Sequence, residues 1–395
     1  MIANGNRIFL FYIIIAIVSC TDPIDDALML PQTEVRPWYN IRYDYSNTGY
    51  YPGELSIEGI VFDTLNIGYT PELSTPVFDD SGNCYVAISE NNSPMDGIIK
   101  KYDKNLSLDW QLELESRIEG SGCVLDSTVI FGSRDEMIFG ISLDGNLKWS
   151  FHTNGEIVNS PIAHNDLGFA IAYSRSSELY VFDETGTIIF QDNLASDCNE
   201  SFPDLPAMDS DGNIYVSNCN EMSSIHYTGT VNWKKTYDEF DQLRWTLVYS
   251  NIGIIYATSY SELFAIDSES GNLLWSKHET DTDGSGLGIA VDPDGTVYWG
   301  NGYLGIEVYD YLGNQLPTLS VSDDDHYKPE LYPTIDSNNN IYFGTNAGQY
   351  LVSITSENAV NLTMPLDFYS FYGITINNDK LYFNTRNNTK MVVIE

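Results

Sequence analysis

The sequence predicts an all-β fold: an eight-bladed β-propeller of four-stranded blades, its last blade closed by an N-terminal strand. Three observations predict it. A two-hairpin unit recurs at a pitch of roughly forty residues. Aromatics make up 13% of the 395 residues, with 28 Tyr and 17 Phe, which favours strands. No long window carries a helical period.

The first hairpin of each unit has eight copies. They are STPVFDDSGNCYVAI (74–88), GSGCVLDSTVIFGS (120–133), NSPIAHNDLGFAIAY (159–173), DLPAMDSDGNIYVSN (204–218), WTLVYSNIGIIYATS (245–259), SGLGIAVDPDGTVYWGN (285–301), LYPTIDSNNNIYFGT (331–345) and FYGITINNDKLYFNT (371–385). Each is a short apolar strand, a turn of Asp, Asn and Gly, and a strand with an aromatic near its middle. Those turn residues tolerate the positive φ of tight hairpins. Tyr215, Tyr256, Tyr298, Tyr342 and Tyr382 share one position.

The second hairpin runs from IKKYDKNLSLDW (99–110) to YLVSITSENAVNL (350–362), with LFAIDSESGNLLW (263–275) its clearest copy. Trp110, Trp149, Trp233 and Trp275 stand at one place near its end; Phe190, Pro317 and Leu362 replace them elsewhere. A large ring there is expected to fill the wedge between blades. A lone four-stranded sheet buries neither face, but eight leaning on one another bury both. The eighth unit stops at residues 390–395, one strand short. Residues 56–63 are expected to supply that strand and close the ring, leaving no open edge.

The N-terminus carries a different signal. Arg7 precedes a short apolar run, residues 8–19, which suits a signal-peptide core better than a membrane span. It ends in Ile17-Val18-Ser19-Cys20, which resembles the lipobox of bacterial lipoproteins. That resemblance implies cleavage before Cys20 and acylation of Cys20. The expected organisation is a signal peptide over 1–19, a lipidated tether over 20–37 and one propeller over 38–395. The acidic residues after the cysteine resemble outer-membrane and surface-export signals. The expected location is therefore the outer membrane, on its periplasmic or its cell-surface side. A balance of 18 basic against 56 acidic residues gives a formal charge of −38, which disfavours nucleic-acid partners.

The Asp, Gly, Trp pattern of residues 263–275 resembles the PQQ-like repeat of quinoprotein propellers. The lead-in RPWYNIRYDYSNTGYYPG (36–53), with Trp38 and Thr48-Gly49-Tyr50, resembles the same family. The resemblance implies two branches. One holds quinone-dependent alcohol and sugar dehydrogenases. The other holds non-catalytic propellers, among them outer-membrane lipoproteins of barrel assembly. The alcohol-oxidising members pair adjacent cysteines with the quinone and a calcium. This chain has no adjacent cysteines, so no cofactor ligand carries over.

No catalytic, cofactor-binding or metal residue is expected. His152, His164, His226, His278 and His326 form no zinc motif. Asp281, Asp283 and Gly286 open a stretch like a calcium loop, but the twelfth position is Asp292 and not Glu; a polar loop is the competing reading. Cys198 and Cys219 flank one hairpin and are expected to form a disulfide. The longer connectors 196–206 and 322–333 are candidate binding loops. The function expected is a membrane-anchored, non-catalytic scaffold that binds a protein. The alternatives are a quinone-dependent oxidoreductase and a glycan-binding surface lipoprotein.

Overall fold

A computed structural model describes residues 36–55, 62–67, 74–89, 97–194, 205–237, 244–259, 261–278, 288–300, 305–319, 332–345, 350–355, 360–365, 373–384 and 390–394. Every regular element among them is a strand. β1 (Phe62–Asn66) precedes the first blade. Blade 1 holds β2 (Val77–Phe78), β3 (Cys84–Ser89), β4 (Gly97–Tyr102) and β5 (Leu108–Leu114). Blade 2 holds β6 (Cys123–Leu125), β7 (Thr128–Gly132), β8 (Met137–Ser142) and β9 (Leu147–His152). Blade 3 holds β10 (Ile162–His164), β11 (Phe169–Tyr173), β12 (Glu178–Asp183) and β13 (Ile188–Asn193). Blade 4 holds β14 (Ala207–Met208), β15 (Asn213–Asn218), β16 (Glu221–His226) and β17 (Val231–Thr236). Blade 5 holds β18 (Arg244–Ser250), β19 (Ile254–Thr258), β20 (Glu262–Asp267) and β21 (Leu273–His278). Blade 6 holds β22 (Ile289–Val291), β23 (Val297–Gly300) and β24 (Ile306–Tyr309). Blade 7 holds β25 (Thr334–Ile335), β26 (Ile341–Gly344), β27 (Tyr350–Ile354) and β28 (Val360–Pro365). Blade 8 holds β29 (Thr375–Asn377), β30 (Lys380–Asn384) and β31 (Lys390–Ile394), with β1 as its fourth strand.

Neighbouring strands within a blade are antiparallel and, β1 apart, follow chain order. First strands of successive blades approach one another, β2 with β6, β6 with β10, and β14 with β18, which puts them at the ring axis. The core lies between blades. One apolar cluster joins blades 1 and 2 through Tyr85, Ile99, Val129 and Ile141. Another joins blades 5 and 6 through Tyr256, Ala265, Val297 and Trp299. A third joins blade 8 to blade 1 through Phe383, Val392, Phe78 and Val86. That is why inner strands such as β7 and β19 are buried at every residue, while outer strands such as β9 and β21 alternate.

The first turn explains the recurring Asp and Tyr. Asp209 Oδ1 accepts the Asp211 and Asn213 amides, while its Oδ2 accepts Asn213 Nδ2 and the Tyr215 hydroxyl. Asp79 and Asp336 repeat all four bonds with Asn83 and Tyr85, and with Asn340 and Tyr342. Gly212 follows at φ +84°, where a Cβ is disfavoured. One carboxylate thus satisfies a turn and ties it to the next strand.

The outer aromatics lock each blade to the next. The indole Nε1 of Trp110, Trp149, Trp233 and Trp275 donates to Leu143 O, Glu184 O, Ser268 O and Tyr311 O, at 2.8–2.9 Å. Each acceptor lies in the second turn of the following blade. Glycine there makes room: a Cβ at Gly186 would lie 2.5 Å from the Trp149 ring, and one at Gly229 the same distance from Phe190. A β-bulge in each of these blades, such as that at Gly140/Ile141 opposite Trp149, turns the outer strand toward its neighbour. All four rings pack against apolar clusters that lie between blades. Trp233 is buried, and Trp110, Trp149 and Trp275 are half-buried.

Two elements depart from regularity. Among the described residues, the outer edge of blade 6 pairs only through Gln315 and Leu319; Pro317 between them has no N–H to give. Closure of blade 8 is by Phe62–Asn66, which pairs with β31 from Phe62↔Ile394 to Asn66↔Lys390. The closing strand therefore runs past the expected end at residue 63, and residues 56–61 lie outside the described ones. The register follows from Leu65, packed on the blade 8–blade 1 cluster, and from Ile67, fully buried in it.

Candidate binding face

The lead-in segment closes one mouth of the ring. Trp38 O accepts the Phe78 amide of blade 1, and Tyr39 O that of Val124 in blade 2. The Asn40 carboxamide exchanges two bonds with Ala163 of blade 3. Tyr45 O, Ser46 O, Thr48 O and Gly49 O accept the amides of Met208, Tyr249, Val291 and Ile335, in blades 4 to 7. Tyr51 reaches Asp379 of blade 8 through its hydroxyl. Each partner lies in or just beyond the first strand of its blade, at the end where that strand turns. One segment of about fourteen residues thus binds every blade and satisfies amides that would otherwise be unpaired at the axis.

Charged groups hold this segment's shape. The Arg42 guanidinium donates to Asn47 O and Ile289 O and stacks on the Tyr332 ring at 4.7 Å. Burial lowers its pKa to about 10. Asp44 accepts the Thr48 amide and hydroxyl at 3.0 and 2.6 Å. Burial pushes its carboxyl up to about 6, against those bonds and the nearby Arg42. His164 stacks under Tyr45 at 4.0 Å and is held below its ordinary pKa by burial.

The opposite face carries the connectors between blades. Across blades 2 and 3 it presents an alternating ladder of arginine and glutamate. Arg117 meets Glu119 at 2.6 Å, Arg134 meets Glu119 at 3.0 Å, and Arg175 meets Glu156 at 3.0 Å. Arg134 also approaches Glu156 at 3.6 Å. Asp135 caps the connector by accepting the Arg117 amide and the Ser116 hydroxyl. The three guanidinium groups stay about one-third exposed. Three of the chain's eight arginines meet here, on a protein of charge −38. Sequence reading missed them, although GSRDE (132–136) and YSRSSE (173–178) mark the same turn in consecutive blades.

The residues singled out in the sequence fall as follows. Cys20, Cys198, Asp281 and Asp283 lie outside the described residues, as do 196–204 and 322–331 of the two long connectors. Cys219 is buried at φ +59° in the turn between β15 and β16. It is disulfide-bonded, and its partner lies outside the described residues. Cys84 and Cys123 are free and buried, and burial raises both thiols well above their ordinary pKa. His152, His164, His226 and His278 stand apart. No three His, Cys, Asp or Glu side chains come together as a metal site among the described residues. Among those residues, too, no helix is long and apolar enough to cross a membrane.

A quinone of the kind the dehydrogenase branch uses needs an axial cradle with a calcium beside it. The described residues do not fit one. Residues 38–51 fill one axial mouth, and carboxylates in and beside that segment, such as Asp44, Asp79, Asp209 and Asp336, are occupied by hydrogen bonds in their own turns and to the following strands.

Comparison with known proteins agrees with this architecture. The crystal structure of BamB from Moraxella catarrhalis superposes with a TM-score of 0.63 at 16% identity, covering 87% of this chain and 98% of that one. A europium-containing methanol dehydrogenase gives 0.68 at 11% identity, covering 91% of each. The computationally designed Ika8 protein gives 0.63 at 13% identity, covering 83% of this chain and 98% of its own. At these identities the likeness is one of fold. No curated protein sequence matches the chain. The profile of one family, described as outer membrane protein assembly factor BamB, matches residues 175–394. That is more than half of the sequence, and the chain belongs to this family.

Proposed function

We propose that the protein is a non-catalytic scaffold held at the outer membrane by an acylated Cys20, and that it binds another protein through the connector face. The organisation that goes with this reading is a signal peptide over 1–19, a tether over 20–37 and a propeller over 38–395. The observation that carries it is the arginine–glutamate ladder on the face that the lead-in segment leaves open. Arginine in a fixed fork, partly desolvated and backed by carboxylates, is suited to recognise a partner's backbone and acidic groups. Family membership and the fold shared with BamB support the same reading.

A photo-cross-linking residue at position 176, beside Arg175, tests it in the cell envelope. One discrete adduct is expected, lost on combined Arg134→Glu and Arg175→Glu substitution while the unfolding midpoint holds. An adduct unaffected by those changes, or none, contradicts the assignment. We further assign Cys198 as the partner of Cys219. Non-reducing peptide mapping should recover the two linked, and recovery of Cys198 as a free thiol overturns the pairing.

A further inference from the structure

We propose that the sealed mouth is the membrane side of the ring, its apolar rim resting on the lipid headgroups while the connector face points away. The inference rests on the proposed acylation of Cys20.

Two independent observations carry it. The first is where the chain leaves the ring. In a four-stranded antiparallel blade, the turn after the first strand and the turn after the third lie at the same end. The lead-in segment is bound at that end. Arg36 is fixed there, its amide donating to the Tyr43 hydroxyl at 3.1 Å and its guanidinium paired with Asp166 at 3.0 Å. Asp166 lies in the turn between β10 and β11. Cys20 is sixteen residues upstream, a reach of at most about 55 Å when fully extended. Seating the sealed face on a bilayer needs little of that reach. Seating the opposite face needs the tether to cross half the ring and then its thickness, which uses more of that reach and costs more chain entropy.

The second observation is the placing of exposed apolar side chains. Leu108, Leu147 and Val231 open the outer strands of blades 1, 2 and 4, and each is about half exposed. Ile188 and Leu273 hold the same place in blades 3 and 5, and Leu312 lies in the matching turn of blade 6 at 63% exposure. Five consecutive blades thus put an apolar side chain at one height on the rim of the sealed face, two residues past the positive-φ residue of the turn, while in blade 6 that place is Gln315 and the exposed Leu312 lies in the turn itself. The indole locks between blades do not use them. The same turns carry Asp103, Asp144, Asp183, Asp267 and Asp310, so the rim suits a zwitterionic surface and is repelled by an anionic one. The acyl chains supply the attachment; the rim sets the tilt.

The test uses the full acylated chain in phosphatidylcholine vesicles containing headgroup-nitroxide lipid. A fluorophore is placed through Leu147→Cys or Val231→Cys on the rim, and through Glu136→Cys or Ser176→Cys on the connector face. Flotation is measured on the same samples, with Cys20→Ser as its control. Several-fold quenching at 147 and 231, with none at 136 and 176, is expected. Floating protein quenched equally at both ends, or only at 136 and 176, overturns the orientation and leaves the anchor standing. Failure of the acylated chain to float overturns the anchor itself, and the orientation with it.

Discussion

Asp209 shows how much one side chain can organise. It is buried, and its carboxylate accepts four hydrogen bonds from a turn and from the following strand. Replacing it with alanine strands those donors where water has little access. An Asp209→Ala variant should lose about 2–4 kcal/mol, as bonds to a charged acceptor contribute roughly 1.5–3 kcal/mol and are not additive. Urea unfolding checks this. Asp44 makes a prediction of opposite sense. Its pKa is raised to about 6 in the folded ring from an ordinary 3.8, because burial disfavours the charge. The folded state therefore binds the proton more readily than the unfolded chain. Asp44 weakens the ring at pH 7, and this cost fades as pH falls through 6 and is gone below about 4. The Asp44→Asn variant should then unfold at a higher temperature than the parent at pH 7, and the gap should close by pH 4. A gap that widens on acidification refutes the assignment.

At the scale of the element, the hairpins and the indole locks are the units. Gly186 lies at φ +79° against the Trp149 ring. A Gly186→Ala change meets both a disfavoured backbone and a clash, and should cost about 1–3 kcal/mol. Gly168, at φ +73° with nothing within 4 Å of its Cβ position, should cost only the backbone part. Comparing the two melting curves separates strain from contact. These elements were the legible part of the sequence, because each is encoded within about fifteen residues. The Asp that starts a turn, the Gly that permits it and the Tyr six residues on from the Asp recur in register. Less was legible where the partners are far apart in the chain. The lead-in segment has no period of its own, and its bonds run to eight blades, so nothing local announces that it seals an axis. Its closing strand was expected to end at residue 63, yet the pairing continues to Asn66, because the register is set by Leu65 and Ile67, which pack on a cluster built from blades 8 and 1. Arg117, Arg134 and Arg175 lie in three separate turns, and only the ring brings them beside Glu119 and Glu156.

At the scale of the whole molecule, the ring is stable because no blade stands alone. The apolar clusters lie across junctions, and an eight-way ring has as many junctions as blades only if its last blade is finished. Here β1 finishes it through five paired residues, and the segment before it binds each blade in turn, in or just beyond its first strand. Both contributions come from the N-terminal side of a fold whose other strands follow later. The same topology gives the molecule two unlike faces, one sealed by the lead-in segment and one carrying the connectors and the arginine–glutamate ladder. Unfolding of a chain shortened to begin at residue 68, compared with one beginning at residue 36, tests this most directly. The shortened chain should lose its single cooperative transition near the parent midpoint, and a peptide of residues 36–67 added in trans should restore it. An unchanged midpoint in the shortened chain would contradict closure of the ring by its N-terminal segment.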